Sequence, residues 1–385
     1  MNRASYLLVL IIGIMGCKKP YNPPVIASPK SYLVVEGVIN AGSDSTVIKL
    51  SRTVNLSSNS TKNPERNAIL TIESDQNTVY PLTETKGGYY MAAGLNLDTT
   101  RQYRLNIRTS NDQQYLSDFA QVKSTPPIDS VGFKVQNNGI QLYVNTHDSK
   151  NNSIYYRWEY DETWKFHAKY ESILITDGLF IVDRKPDQYT YFCFANDTSS
   201  SIVIGSSAKL KQDVIYQAPI TFVESSSEKI ETEYSIRVRQ YALTGDAYTF
   251  WENIKKNTEQ LGSIFDAQPS NIKGNIHNVN NPSEPVIGYI SVSLVQTKRV
   301  FIHNNQVPNW NPADPYDCQL DSMLYCHGKM CQNDVALFLL PIGSTEIPVY
   351  AIPVGSHNPI GFMSSTNYCT DCTLRGTKTQ PAFWR

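Results

Sequence analysis

The sequence predicts a mainly β protein: two β-sandwich domains, immunoglobulin-like or transthyretin-like, with one inserted α-helix near 246–262 and a Cys-rich, loop-rich C-terminal region. Three observations predict it. Short runs of β-branched and aromatic residues recur along the chain, separated by Gly, Pro, Asn and Asp. Tyr is abundant at 24 residues while charged residues make up only 18%, a mix that suits strands and excludes general disorder. One segment alone changes its apolar period from two to about 3.6.

The chain opens MNRASYLLVLIIGIMGCKKP. Arg3 precedes an apolar run over 6–15, which is shorter than the ~20 residues a membrane-spanning helix needs. A positive start, a short apolar core and small Gly16 mark residues 1–16 as a secretory signal peptide. Ile14-Met15-Gly16-Cys17 resembles a bacterial lipobox, in which the Cys is lipidated and becomes the new N-terminus. Cys17 is therefore the candidate lipidation site. Attached acyl chains contribute about 0.8 kcal/mol per buried CH₂, so more than one chain anchors stably to a membrane. Lys18, in place of an Asp, favours the outer membrane, facing either the periplasm or the outside. Residues 17–30, with four prolines, read as the lipidated Cys and a semi-rigid tether.

Strands begin at SYLVVEGVIN (31–40) and STVIKLSRTV (45–54). AILTIES (68–74) sets Ala68, Leu70 and Ile72 on one face. RQYRLNIRTSNDQQYLSDF (101–119) reads as a hairpin, with Tyr103, Leu105 and Ile107 on one face and Ser110-Asn111-Asp112 at the turn. These runs define an N-terminal sandwich over 31–124. STPPIDS (124–130), with two prolines among polar residues, marks a boundary. A larger β-rich domain follows over 125–385. In SIYYRWEYDETW (153–164), Tyr156, Trp158 and Tyr160 face away from Tyr155, Arg157, Glu159 and Asp161. The neighbouring acids Asp161 and Glu162 then point to opposite faces and read as solvated edges. Asp246 is placed to cap a helix that carries Ala247, Phe250, Trp251, Ile254, Leu261 and Phe265 near one face, a stripe that reads as core. VIGYISVSLVQTKRVFIH (286–303) reads as one long strand or a hairpin.

Setting Cys17 aside leaves six cysteines: Cys193, Cys318, Cys326, Cys331, Cys369 and Cys372. An even number in an exported chain favours structural disulfides, whose connectivity spacing alone does not give. Zinc held by Cys326, Cys331, Cys369 and Cys372, with His327 as a substitute, is the first alternative; it leaves Cys193 and Cys318 over. A redox dithiol at Cys369-x-x-Cys372 is the second. Asp371 would raise its thiol pKa, and TLRGTKTQP after it is poor helix material. The stretch 303–331 has few strand or helix signals and calls for staples. Trp310, Tyr316 and Tyr325 within it form a candidate binding surface.

Removing residues 1–16 takes away only Arg3, so 34 basic residues become 33 against 35 acidic ones. No basic block stands out, and nucleic-acid binding has no electrostatic support. The six histidines are scattered without paired-ligand spacing, and no nucleophile elbow or phosphate loop is present. No catalytic residue, metal or cofactor is expected.

Phe265-Asp266, Gln268-Pro269-Ser270, Gly274-Asn275-Ile276 and Gly288-Tyr289 resemble a signature of the Bacteroidota lipoproteins in domain-of-unknown-function family 4249. The closing Cys369-x-Asp371-Cys372, a Gly, and Pro381-x-Phe383-Trp384 resemble that family's final element. It departs where Thr377, not a second Gly, follows Gly376. The lipobox, the YLVVEG strand and the PPIDS break fit as well. The resemblance implies an outer-membrane lipoprotein, often encoded beside TonB-dependent receptors, and transfers no catalytic residues. The expectation is a non-catalytic accessory or binding lipoprotein associated with such a receptor, its ligand unknown. The alternatives are an envelope hydrolase with a site assembled across domains, and a structural or adhesive surface protein.

Overall fold

In the computed structural model the described residues are 31–54, 63–259, 273–308, 310–340, 345–354 and 357–384. Cys17, the expected signal peptide and the tether lie outside them, as do Leu261, Phe265 and the Gln-Pro-Ser motif.

The first sheet begins with β1 (Leu33–Asn40), β2 (Thr46–Arg52), β3 (Ile69–Ser74), β4 (Val79–Lys86) and β5 (Tyr89–Ala92). It continues through β6 (Gln102–Arg108), β7 (Gln114–Ser117), β8 (Ala120–Gln121) and β9 (Lys123–Ser124). Alternation sends Leu33, Val35, Ile48, Leu50, Leu70, Ile72, Tyr103, Leu105 and Ile107 into one core.

The chain then builds β10 (Ile128–Gln136), β11 (Gly139–Asp148), β12 (Tyr155–His167), β13 (Leu174–Thr176) and β14 (Ile181–Asp183). After these come β15 (Phe192–Thr198), β16 (Val203–Ser206), β17 (Asp213–Glu224) and β18 (Glu233–Ala242). β10, β11 and β17 form a three-stranded sheet. β12 is central to a second sheet, flanked by β18 on one side and by β15 and β16 on the other. Both sheets feed one core: Leu142, Val144 and Ile215 from the first meet Tyr156, Trp158, Phe166, Ile236 and Val238 from the second. The Trp158 indole N–H donates to Gln240 Oε1 at 2.8 Å, and Gln240 donates on to Pro126 O, so these two buried polar side chains are paired.

The helix α1 spans Gly245–Glu259. Its cap is Thr244, whose Oγ1 accepts from the Ala247 N–H at 3.2 Å. Asp246, expected as the cap, lies inside the first turn, where its charge suits the helix dipole. Ala247 and Phe250 are buried.

After α1 come β19 (Ile276–Asn278), β20 (Ile287–Gly288), β21 (Val292–Leu294) and β22 (Gln296–His303). β19 pairs with β7, while β20 and β21 run parallel to β1, so the first sheet reaches twelve strands. The break at 124 marks where the chain leaves this sheet, but the sheet is completed only at 294. The run 286–303 is correspondingly not one strand or a hairpin. It crosses from the first sheet to the second, because β22 pairs with β18. Gly288 permits the crossing: it holds φ +153°, and a Cβ there would stand 2.4 Å from the Val35 carbonyl oxygen.

The remaining elements are β23 (Asp321–Leu324), α2 (Asp334–Phe338), β24 (Glu346–Val354), β25 (His357–Thr366) and α3 (Asn367–Thr370). β23, β25 and β24 form a small sheet around Met323, Val335 and Phe362, joined by Leu174 of the β13–β14 hairpin. The six cysteines pair as Cys193–Cys372, Cys318–Cys369 and Cys326–Cys331. Two of these bonds hold the closing segment, one to β15 and one to the loop before β23. Trp384 is buried against Phe194 and Phe301, and its indole N–H donates to Glu233 at 2.9 Å.

Candidate functional site

Period two places Arg157, Glu159 and Asp161 of β12 on the face opposite its core aromatics. β18 does the same with Arg237, Arg239 and Tyr241. The antiparallel register sets Glu159 across from Arg239, Asp161 across from Arg237 and Arg157 across from Tyr241. Opposite charges directly across a ladder stabilise it. Asp161 accepts from Arg237 Nε at 2.9 Å and from Arg239 Nη1 at 2.6 Å. Glu159 accepts from the Tyr241 hydroxyl at 2.7 Å and pairs with Arg157. The Arg157 guanidinium lies 3.7 Å from the ring centre of Trp251, which α1 delivers.

This ladder is one wall of a cleft of about 580 Å³. The other wall comes from the first sheet: Glu36 and Val38 of β1, Val47 of β2, Tyr89 of β5, and Asp44 and Ser45 between β1 and β2. Val295 and Thr297 line it where the chain passes between the sheets. Asn40 fixes the rim beside them, donating to the Asp44 carbonyl at 3.1 Å and taking the Gly42 N–H at 3.0 Å.

Burial pushes the Asp161 carboxyl up, but Arg239 and Arg237 outweigh it and hold the group below the usual carboxylate range. Burial likewise opposes ionisation of Glu159, and Arg157, the Tyr241 hydroxyl and Arg239 together reverse it. Burial and the nearby Glu159 charge push the Tyr241 hydroxyl up. These acids stay ionised and this phenol stays neutral near pH 7, so none is poised to exchange a proton. What the cleft offers a ligand is a fixed array of charges and hydrogen-bonding groups.

The acids expected as solvated edges are both engaged by partners. Asp161 bridges two arginines, and Glu162, 3% exposed, sits on the other face between Lys229 Nζ at 2.6 Å and the Tyr234 hydroxyl at 2.5 Å. The three expected surface aromatics each serve a different neighbour. Trp310 packs on the core between the two sheets and donates to the Ser227 carbonyl at 2.9 Å. Tyr316 lies 5.1 Å from Tyr368, centre to centre. Tyr325 is exposed and lies 6.0 Å from Phe362. No ring contact joins the three among the described residues. Of the ladder, Glu159, Arg237, Arg239 and Tyr241 line the cleft, and the ladder's signal in the sequence is the charged alternation of Arg157-Glu159-Asp161 and Arg237-Arg239. Its meaning depended on register, which no local pattern supplies.

The molecule is thus a mainly β protein whose first sheet meets the sheet of β12, β18 and β22 across a charged cleft. The profile of the family described as Domain of unknown function (DUF4249) matches residues 18–299, and the chain belongs to that family. The matched span contains every residue of the cleft. No curated protein matches the chain. Among solved structures, a candidate carbohydrate-binding protein from Bacteroides uniformis ATCC 8492 aligns at 11% identity over 55% of this chain and 90% of that one. Its TM-score is 0.16, too low for the likeness to carry an argument.

Proposed function

We propose that the protein is a non-catalytic binding lipoprotein of the outer membrane, anchored through Cys17, that engages its ligand in the charged cleft as an accessory to a TonB-dependent receptor. The cleft carries this reading. Its volume, about 580 Å³, falls in the range of small-molecule sites, and it opens where two sheet systems meet. On the ladder wall Glu159 is neutralised by arginine, and Glu36 opposite pairs with Lys49, which suits recognition and not proton transfer. Arg237 keeps two-fifths of its side chain exposed while paired to Asp161, so a ligand can approach its guanidinium without breaking the ladder.

The test is extraction of the full chain from membranes in mild detergent, followed by affinity purification. Wild type is expected to bring down a TonB-dependent receptor, and Arg237→Glu to lose it. A clean monomer from wild-type membranes would sink the accessory role. Cys17→Ser is expected to release the protein from the membrane fraction; its retention there would sink the anchor.

A further inference from the structure

A second concavity lies away from the cleft, between the segment 186–192 and the C-terminal tail. It is an open trough of about 490 Å³. Tyr189, Tyr191 and Phe192 supply aromatic surface, and Glu171, Asp187 and Lys378 stand around it. Tyr189 and Phe192 are 39% and 46% exposed, high for rings that have a core nearby.

The rings are held from behind. Tyr191 stacks on His167 at 4.9 Å, and Phe192 meets Tyr191 edge-on at 4.6 Å. Lys165 Nζ lies 4.6 Å from the Phe192 ring centre. The two walls are also tied to each other. Cys193, next to Phe192, is bonded to Cys372, and Phe194 exchanges backbone hydrogen bonds with Thr377 at 2.8 and 2.9 Å. Lys378 Nζ closes the end by donating to the Asp187 carbonyl at 2.6 Å. The trough is preformed, so a ligand pays little ordering entropy on entering it.

We infer that this trough is a binding site for a polyhydroxylated chain, a glycan without anionic groups. The rim decides the class. The carboxylates of Glu171 and Asp187 have no hydrogen-bond or ion-pair partner among the described residues, and Lys378 stands on the same concavity. Two acids against one ammonium group leave an excess of negative charge, which disfavours an anion. They do present acceptors and donors together, which is what hydroxyl groups match, since each donates and accepts. The C–H face of a sugar ring is apolar and flat and fits an exposed aromatic face, while its hydroxyls project toward the rim. The trough is open along its length, which suits a chain passing through more than a small molecule enclosed.

The test is affinity electrophoresis of the detergent-solubilised full chain through gels containing a neutral β-glucan, a xylan or a mannan, with polygalacturonate and heparin as charged controls. Retardation by at least one neutral polysaccharide and by neither charged one is expected. Tyr189→Ala with Phe192→Ala should weaken it by about tenfold or more, as loss of exposed aromatic anchors does. Glu171→Gln, which alters no packed contact, should weaken it measurably by itself. Arg237→Glu in the cleft should leave it unchanged, which separates this site from the receptor-linked reading. Absence of retardation in all three neutral gels, stronger retardation by a charged polysaccharide, or retardation indifferent to both trough variants would each overturn the assignment.

Discussion

Asp161 sits where two arginines from one strand converge on one carboxylate, and its depressed pKa has a consequence for stability. A carboxyl whose folded pKa lies below its unfolded value contributes stability above the unfolded value and loses it as pH falls through the folded one. Asp161 and Glu159 both fall in this class, so stability should decline below about pH 4, the ordinary carboxylate range. Asp161→Asn leaves Arg237 and Arg239 without their shared partner on a half-buried wall. A loss of about 1–3 kcal/mol is expected near neutral pH, with a shallower decline on the acid side. Urea midpoints measured across that range check both; a variant as stable as wild type at pH 7 would show that the ladder contributes nothing. The residue types were legible in advance, down to which of them share a face. Their role was not, because Asp161 and Glu162 look alike in the sequence and differ only in what the partner strands bring to each face.

Gly288 and Thr244 show how single positions set whole elements. The Gly288-Tyr289 pair, noticed first as a family marker, has two physical jobs. Gly288 lets β20 close on β1, and the Tyr289 ring packs 5.5 Å from Phe250 of α1. Gly288→Ala puts a Cβ against the Val35 carbonyl at a φ that L-residues avoid, and a loss of about 1–3 kcal/mol follows. Thermal unfolding of this variant beside Gly178→Ala, where φ is +97° and no atom lies within 4 Å of the added Cβ, separates the contact from the cost of positive φ. Thr244→Ala removes the α1 cap and should cost about 0.5–2 kcal/mol, whereas Asp246→Ala should cost less because Asp246 contributes only through the dipole. The existence and position of α1 followed from its apolar period. Its cap did not, since Thr, Asp and Ser all cap, and only the backbone path distinguishes Thr244 from Asp246.

Across the molecule, the three disulfides cross-link very different lengths of chain. Cys193–Cys372 spans 179 residues and Cys326–Cys331 spans 5. In the chain-entropy account, removing the first costs roughly 5 kcal/mol and removing the second roughly 2. Cys193→Ser with Cys372→Ser should therefore lower the melting temperature well beyond Cys326→Ser with Cys331→Ser; equal shifts would argue against a loop-entropy origin. The closing Cys-x-x-Cys is thus two anchors and not one unit: Cys372 reaches β15, and Cys369 reaches Cys318. Spacing singled out these cysteines as staples without saying which meets which.

Alternation and period are local properties, so the chain alone specifies that it is mainly β, which faces are apolar, where the helix lies and that six cysteines follow Cys17. Register, sheet partnership and disulfide pairing join residues far apart along the chain, and they are settled by packing. That is why the run 286–303 serves two sheets, why the first sheet is closed by segments beyond residue 275, and why the charged cleft lies between elements that no sequence window contains.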